Sequence, residues 1–319
     1  MGSPRSRSLV LFSLLLLLAL CFCSSAPAVG QDLASAQAEV KRVFEEELHR
    51  LTPDGARAAL PTVQYLAANA AEFEAQALAR RALGEIARLV RDFAAAEADF
   101  RAVISLYPSS SQVAWAHSGL GEMCRDLSRS QARPELLNTA LAEFRMAMAS
   151  NPGQLVGGRT LEKIALTCLD VRDYQGAVQT YSQLIAAYPA TPEAVYAHGG
   201  LAQAYWALRR WDDGVNEARI RAGSTGYPRC AEFQLMAGVI LGRKGDYAAA
   251  AAELDKVVAA VQAPTDEVRL MALYQKGFCL KALGDLSGAA AAWRRVIAES
   301  PFDYLSVRAR EQLGLLGAL

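Results

Sequence analysis

Residues able to carry reaction chemistry are few and scattered. Past the N-terminal stretch the chain holds three histidines, His49, His117 and His198, and four cysteines, Cys124, Cys168, Cys230 and Cys279. A structural zinc site asks for close pairs such as Cys-x-x-Cys or His-x-x-x-His, and neither spacing occurs. There is no Gly-x-Gly-x-x-Gly and no phosphate loop. Gly119, Leu120 and Gly121 fall inside a helical pattern rather than after a strand. Serines and aspartates give no nucleophile signature. His117 and His198 share a position where a large side chain packs between helices, so they read as satisfied, partly buried imidazoles. The expectation is a non-enzyme with no catalytic, metal or cofactor site. Cysteine behaves as a small buried hydrophobe, and bridging fails beyond a Cα separation of about 7 Å. Stacked helices lie about 8–10 Å apart. Four free buried thiols are expected, with a Cys124–Cys168 bridge as the alternative because only that pair shares register.

The elements that must position these residues are helices. The chain has 319 residues, 52% of them hydrophobic, with 33 basic against 33 acidic side chains. That balance gives no reason to expect nucleic acid or an anionic membrane surface. Arg5 and Arg7 precede an apolar run from Leu9 to Phe22, and Ala26-Pro27-Ala28 follows. This reads as a secretory signal peptide cut after Ala28. The run is short for a membrane span, which needs about 20 apolar residues. An uncleaved anchor, or a lipid on Cys21, is the alternative. The rest shows apolar residues at i, i+3, i+4 and i+7, the helical period, and no alternating strand pattern.

The helical pattern repeats. Small residues recur at Gly84, Gly121, Ala165, Ala202, Gly238 and Gly277, at gaps of 37, 44, 37, 36 and 39 residues. Twelve residues on come Ala96, Ala177, Gly214, Ala250 and Ala289, and four further Phe100, Tyr181, Leu254 and Trp293, with Ala218 the exception. Proline closes several units at Pro108, Pro189 and Pro301; the second unit gives Ala140, Phe144 and Pro152 after an insertion. Proline lacks the N–H that would continue a helix and constrains the residue before it. So the chain must turn at Tyr188-Pro189. Asp92, Asp173, Asp246 and Asp285 occupy one position and should cap the second helix of their units, with Arg210-Trp211-Asp212 a shifted variant. Pro134 should start the second helix after the insertion.

This order resembles the tetratricopeptide repeat, a helix–turn–helix unit with small residues at the helix crossing. The resemblance implies an all-α fold, a right-handed α-solenoid of stacked repeats. Physically, a helix pair cannot bury its apolar face alone, so successive pairs share one core. The expected organisation is a signal peptide over 1–28, an N-terminal helical cap or degenerate repeat over 29–76, six repeats over 77–301 and a C-terminal capping helix over 302–319. Residues 33–51 should form one amphipathic helix, and Thr52-Pro53-Asp54 should start the next.

The joints 107–116, 188–197 and 300–309 resemble those of bacterial cell-envelope repeat proteins that coordinate outer-membrane assembly or the Tol–Pal system. That resemblance implies an exported, noncatalytic protein that holds partners. In the repeat family, positions 2, 5, 9 and 12 of the first helix line a concave groove. Carried onto this chain, these include Arg81, Glu85, Arg88, Trp115, Glu122, Arg125, Arg159, Glu162, Tyr196, Gln203, Trp206, Tyr274, Phe278 and Lys281. Tryptophan, tyrosine and arginine are the usual binding hot spots. Arg81 stands at the basic position of the carboxylate clamp that chaperone-binding members use, but Glu85 replaces its asparagine, so the clamp is not expected. Two readings remain: a periplasmic or secreted scaffold holding a protein or peptide partner, membrane-anchored if the N-terminal segment is uncleaved or lipidated, or a structural component that self-associates or anchors a larger envelope or secretion complex.

Overall fold

The computed structural model describes residues 32–150, 152–224 and 229–317. The expected signal peptide and its expected cleavage site lie outside them. Among the described residues there are fifteen α-helices and no strand, and no helix is long and apolar enough to cross a membrane. They form two compact units, one ending at Thr167 and the other beginning at Cys168.

Unit 1 opens with α1 (Leu33–Lys41), which passes into a widened π turn over Arg42–Glu46 and a 3-10 turn over Leu48–Arg50. One regular helix over 33–51 was expected. The backbone instead departs from it after Lys41: Glu47 N donates to Arg42 O, five residues back. Side chains of later helices take up the carbonyls at this end, as set out below. Then follow α2 (Pro53–Asn69), α3 (Phe73–Leu89), α4 (Phe93–Leu106), α5 (Gln112–Gln131), α6 (Leu136–Ala149) and α7 (Gln154–Asp170). Thr52 caps α2 by accepting from Gly55 N, with Pro53 at the first helical position as anticipated.

Unit 2 contains α8 (Tyr174–Ala187), α9 (Pro192–Ala207), α10 (Trp211–Ala222), α11 (Cys230–Lys244), α12 (Tyr247–Ala260), α13 (Glu267–Ala282), α14 (Leu286–Glu299) and α15 (Tyr304–Leu315). Within units, each first helix packs on the second helix of its pair, and α3 on α5, α11 on α13 and α13 on α15.

The spaced small and large residues meet as the pattern requires. A Cβ added at Gly84 would come within 2.8 Å of the Phe100 ring, at Gly121 within 2.5 Å of Phe144, and at Gly277 within 2.3 Å of Trp293. Phe100 also presses on Gly119, so one ring fills the space between two successive first helices. No Cβ fits there without displacing the ring. Ala96, Ala177, Ala250 and Ala289 are completely buried.

Turn chemistry follows the same register. Asp92 accepts from Ala95 N (3.1 Å), Asp173 from Gly176 N (2.9 Å), Asp246 from Ala249 N (3.3 Å) and Asp285 from Gly288 N (2.8 Å). Each satisfies a donor that the first turn of a helix leaves orphaned. The residue before each aspartate is left-handed: Arg91 (φ 68°), Arg172 (φ 62°), Gly245 (φ 97°) and Gly284 (φ 84°). Arg209 (φ 58°) precedes the shifted Arg210 turn, where no side chain caps α10.

Two expectations need correction. The insertion after α5 lengthens that helix to Gln131, and α6 starts at Leu136, so Pro134 lies in the preceding turn rather than in the first turn of α6. None of these four cysteines is in a disulfide, as expected, but Cys230 is only half-buried, its thiol donating to Ser224 O at 3.3 Å. Burial pushes the Cys124 and Cys279 thiols up.

α15 covers the last pair. Leu305, Ala309 and Leu313 join the cluster of Leu270, Leu273, Tyr274 and Trp293. Its other side leaves Tyr304, Val307 and Leu315 exposed, beside a fully exposed Phe302.

Candidate functional site

In unit 1 the residues expected on the first-helix face converge, but mostly as an enclosed charged network. Arg81, on α3, has 0% exposure. Its Nε donates to Gln112 Oε1 at 3.1 Å, and Nη1 donates to Phe44 O at 2.8 Å. Gln112 Nε2 in turn donates to Glu45 Oε1 at 3.0 Å. Arg159, on α7, donates to Glu45 O at 2.5 Å and Glu46 O at 3.0 Å. Trp115, on α5, lies between them: the Arg81 Cζ is 5.1 Å and the Arg159 Cζ 5.7 Å from its ring. Leu48 packs against Trp115, Ala114 and Val156. The end of the first helical run therefore lies on the face formed by α3, α5 and α7. Burial pulls the Arg81 guanidinium down in pKa, against the pull of Glu85 and Glu45.

Farther along the same helices the charges pair with one another. Arg88 donates to Glu85 Oε2 (3.0 Å) and Asp126 Oδ2 (2.8 Å). Lys163 Nζ lies 3.2 Å from Glu122 Oε1, and Arg125 Nη1 lies 3.8 Å from Glu122 Oε2. Lys163 also approaches Glu162 at 3.7 Å. Burial works against the Arg88 charge, but Glu85, Glu122 and Asp126 outweigh it and hold the group well above its usual range. Burial likewise opposes the Glu122 carboxylate, yet Lys163, Arg88 and Arg125 keep it below the usual carboxylate range. Arg81, Glu85, Trp115 and Arg125 are buried. They are interior groups of unit 1, not open positions for a partner, because the first helical run and these ion pairs enclose them.

Unit 2 differs. Tyr196, on α9, is 40% exposed, and Gln203, two turns on, is also exposed. The Arg221 Cζ stands 5.3 Å from the Tyr196 ring and 4.9 Å from the Phe233 ring, so a buried guanidinium on α10 backs the exposed tyrosine. Trp206 is half-buried against the cluster of Val215, Ile240 and Leu254. Tyr274 is buried, and its ring meets Phe278 edge-on at 5.0 Å. Phe278 meets Trp293 at 5.3 Å, and Trp293 Nε1 donates to Tyr274 O at 3.1 Å. Tyr274 is thus a core residue under α15, and Phe278 is half-buried beside it. Lys281 is half-buried near the end of α13.

Sequence reasoning missed Glu45, Gln112, Arg221 and Phe233. No local signal marks Glu45 and Gln112, which meet across 67 residues. A further regularity was readable by aligning the units. The fourth position of the first helix pairs with the residue three past the small one of the second helix. The pairs are Arg80–Asp99 (3.0 Å), His117–Glu143 (2.8 Å), His198–Glu217 (2.5 Å) and Gln234–Glu253. Both histidines accordingly have carboxylate partners, as a structural role requires. No group of histidine, cysteine and carboxylate side chains able to hold a metal ion occurs among the described residues.

Tetratricopeptide-repeat family models match residues 163–225, 201–267 and 271–302. No curated protein matches the chain. Among solved structures, YrrB, described as a TPR protein with an unusual peptide-binding site, is similar at 14% identity and a TM-score of 0.49, over 66% of this chain and 97% of that one. A tetratricopeptide repeat protein from Parabacteroides merdae is similar at 15% identity and a TM-score of 0.45, over 88% of this chain and 98% of that one. The MamA protein is similar at 14% identity and a TM-score of 0.48, over 60% of this chain and 93% of that one. Residues 163–267 and 271–302 of this chain are tetratricopeptide repeats.

Proposed function

We propose that the chain is a noncatalytic exported scaffold that holds a protein partner on the first-helix face of unit 2, in the service of cell-envelope assembly or maintenance. Tetratricopeptide repeats are suited to protein–protein interaction, and the observation that carries the site is Tyr196. It is exposed, yet its ring is held against the enclosed Arg221 guanidinium. An aromatic side chain already fixed in place loses little freedom on binding, which is what makes such residues anchors. Gln203 adds a donor and an acceptor two turns away on α9. The envelope setting rests on the leader over 1–28 and the resemblance of the repeat joints. Capture of a partner from envelope extract should weaken on Tyr196→Ala, by about 2 kcal/mol of binding if it is a hot spot, with the protein still folded by circular dichroism. Retained capture at wild-type level would overturn the site. The exported product should begin at Val29, which N-terminal sequencing checks; a chain retaining Met1 or a lipid on Cys21 would overturn it.

A second reading, self-association through the C-terminal end, is favoured by the exposed Phe302, Tyr304, Val307 and Leu315. Concentration-dependent size in solution would support it over the first.

A further inference from the structure

The first-helix face of unit 1 already has an occupant, and the occupant belongs to the chain itself. We propose that Arg81, Trp115 and Arg159 form a receptor for the C-terminal end of an amphipathic helix, that residues 42–50 fill it in cis, and that a partner helix ending in the same way takes their place. The proposal rests on the reading of the chain as a partner-holding scaffold but uses other residues of it.

The last carbonyls of a helix lack intrahelical donors and carry partial negative charge. A guanidinium offers five donors in a rigid fork and is suited to receive them. Here Phe44 O is taken by Arg81, and Glu45 O and Glu46 O by Arg159, so two arginines span three successive carbonyls. The Trp115 ring between them faces both cations, an arrangement favourable in itself. Leu48 packs against the cluster that Trp115 forms with Ala114 and Val156. Most of these contacts read backbone. Side-chain identity enters through Phe44, completely buried in the core beside Val40 and Val43, and through Glu45 and Leu48, so the matching ligand is a helix with an aromatic residue followed by an acidic one in its last turn and an aliphatic residue three positions on. The cis fit is incomplete. Arg81 Nη2 is enclosed and makes no hydrogen bond, with the Glu45 carboxylate 3.8 Å away. A partner that seats a carboxylate closer gains a charge-assisted bond the cis segment does not make.

A tethered segment competes at an effective concentration in the millimolar range, so the cis end acts as a gate. The test uses the full-length protein and, as probe, a fluorescent peptide of residues 33–51, read by anisotropy. Wild type should bind it weakly. Leu48→Asp sets a charge against Trp115 and should tighten peptide binding by about tenfold or more as the cis segment is released. Adding Arg159→Ala should abolish that gain. Leu48→Ala serves if the aspartate variant fails to fold, with a smaller gain in the same direction. No gain in a folded Leu48 variant, or a gain that survives Arg159→Ala, would overturn the proposal. The probe reads α3, α5 and α7, whereas partner capture reads Tyr196, so failure of one is distinguishable from failure of the other.

Discussion

In unit 1 the Arg81 guanidinium is wholly enclosed and bonded to Gln112 and Phe44 O, whereas in unit 2 Tyr196 presents 40% of its surface to solvent. Both lie on first helices, at positions the repeat pattern assigns to the same face. What separates them is coverage. Residues 44–48 reach α3, α5 and α7, and their carbonyls and the Glu45 carboxylate supply what a buried cation needs. No element among the described residues closes over Tyr196 in the same way, and its neighbour Arg221 comes from beneath, on α10. A repeat position therefore fixes direction. Whether that direction is interior or surface depends on what else docks there.

The largest expected effect tests this difference directly. Arg81→Ala removes one partner of a buried charge network and should cost about 3–5 kcal/mol of stability, while Tyr196→Ala should cost about 1–2 kcal/mol at most, the worth of its ring against the Arg221 guanidinium. Denaturant titration of both variants checks the pair, and similar values would erase the contrast.

Smaller, and common to both units, is the packing of the helix crossing. Ala96→Leu in unit 1 and Ala177→Leu in unit 2 each force volume into a fully buried site, at a cost of about 1–3 kcal/mol. Hydrogen exchange should show the damage spreading into adjoining helices, because repeats are stabilised through their neighbours. An unchanged melting curve for either variant would mean that its register is not the one described.

Acid should then loosen the units at different places. The Glu122 carboxylate is held below its usual range despite burial, by Lys163, Arg88 and Arg125. A carboxylate with a depressed folded pKa gives stability that is present above its unfolded value and lost as pH falls through the folded one. Unit 1 should thus lose protection on its first-helix face below about pH 4, and Glu122→Gln should flatten that loss. In unit 2 the corresponding groups are Glu253 and Glu299, on second helices. Burial opposes Glu253, with Lys256 and Arg219 lowering it, and Arg269 lowers Glu299. Exchange measured against pH separates the two patterns.

The smallest effect concerns the turns. Arg91 and Arg172 are left-handed where Gly245 and Gly284 stand in other units. Arg91→Gly or Arg172→Gly relieves a strained backbone but adds freedom to the unfolded chain, so each should change stability by about 1 kcal/mol or less. A loss above that in thermal melts would show that the arginine side chain contributes more than its backbone costs.

The helices, their punctuation and their mutual register follow from local chemistry that the residues spell out. Proline and a left-handed residue before a capping aspartate act on the nearest few peptide groups, so Asp92, Asp173, Asp246 and Asp285 could be read directly. The pairing of Gly84 with Phe100 and Gly277 with Trp293 was legible too, because a recurring unit writes the same contact several times. Which of the outward positions remain available follows instead from long-range packing. Arg81, Trp115 and Arg159 became a closed site because Phe44, Glu45, Glu46 and Leu48 reach them from far away in the chain. Tyr274 became core because α15 lies over its pair. Such contacts occur once, between segments that share no period. Nothing local encodes them: a guanidinium is indifferent to sequence distance and bonds whichever carbonyl the packing brings within about 3 Å.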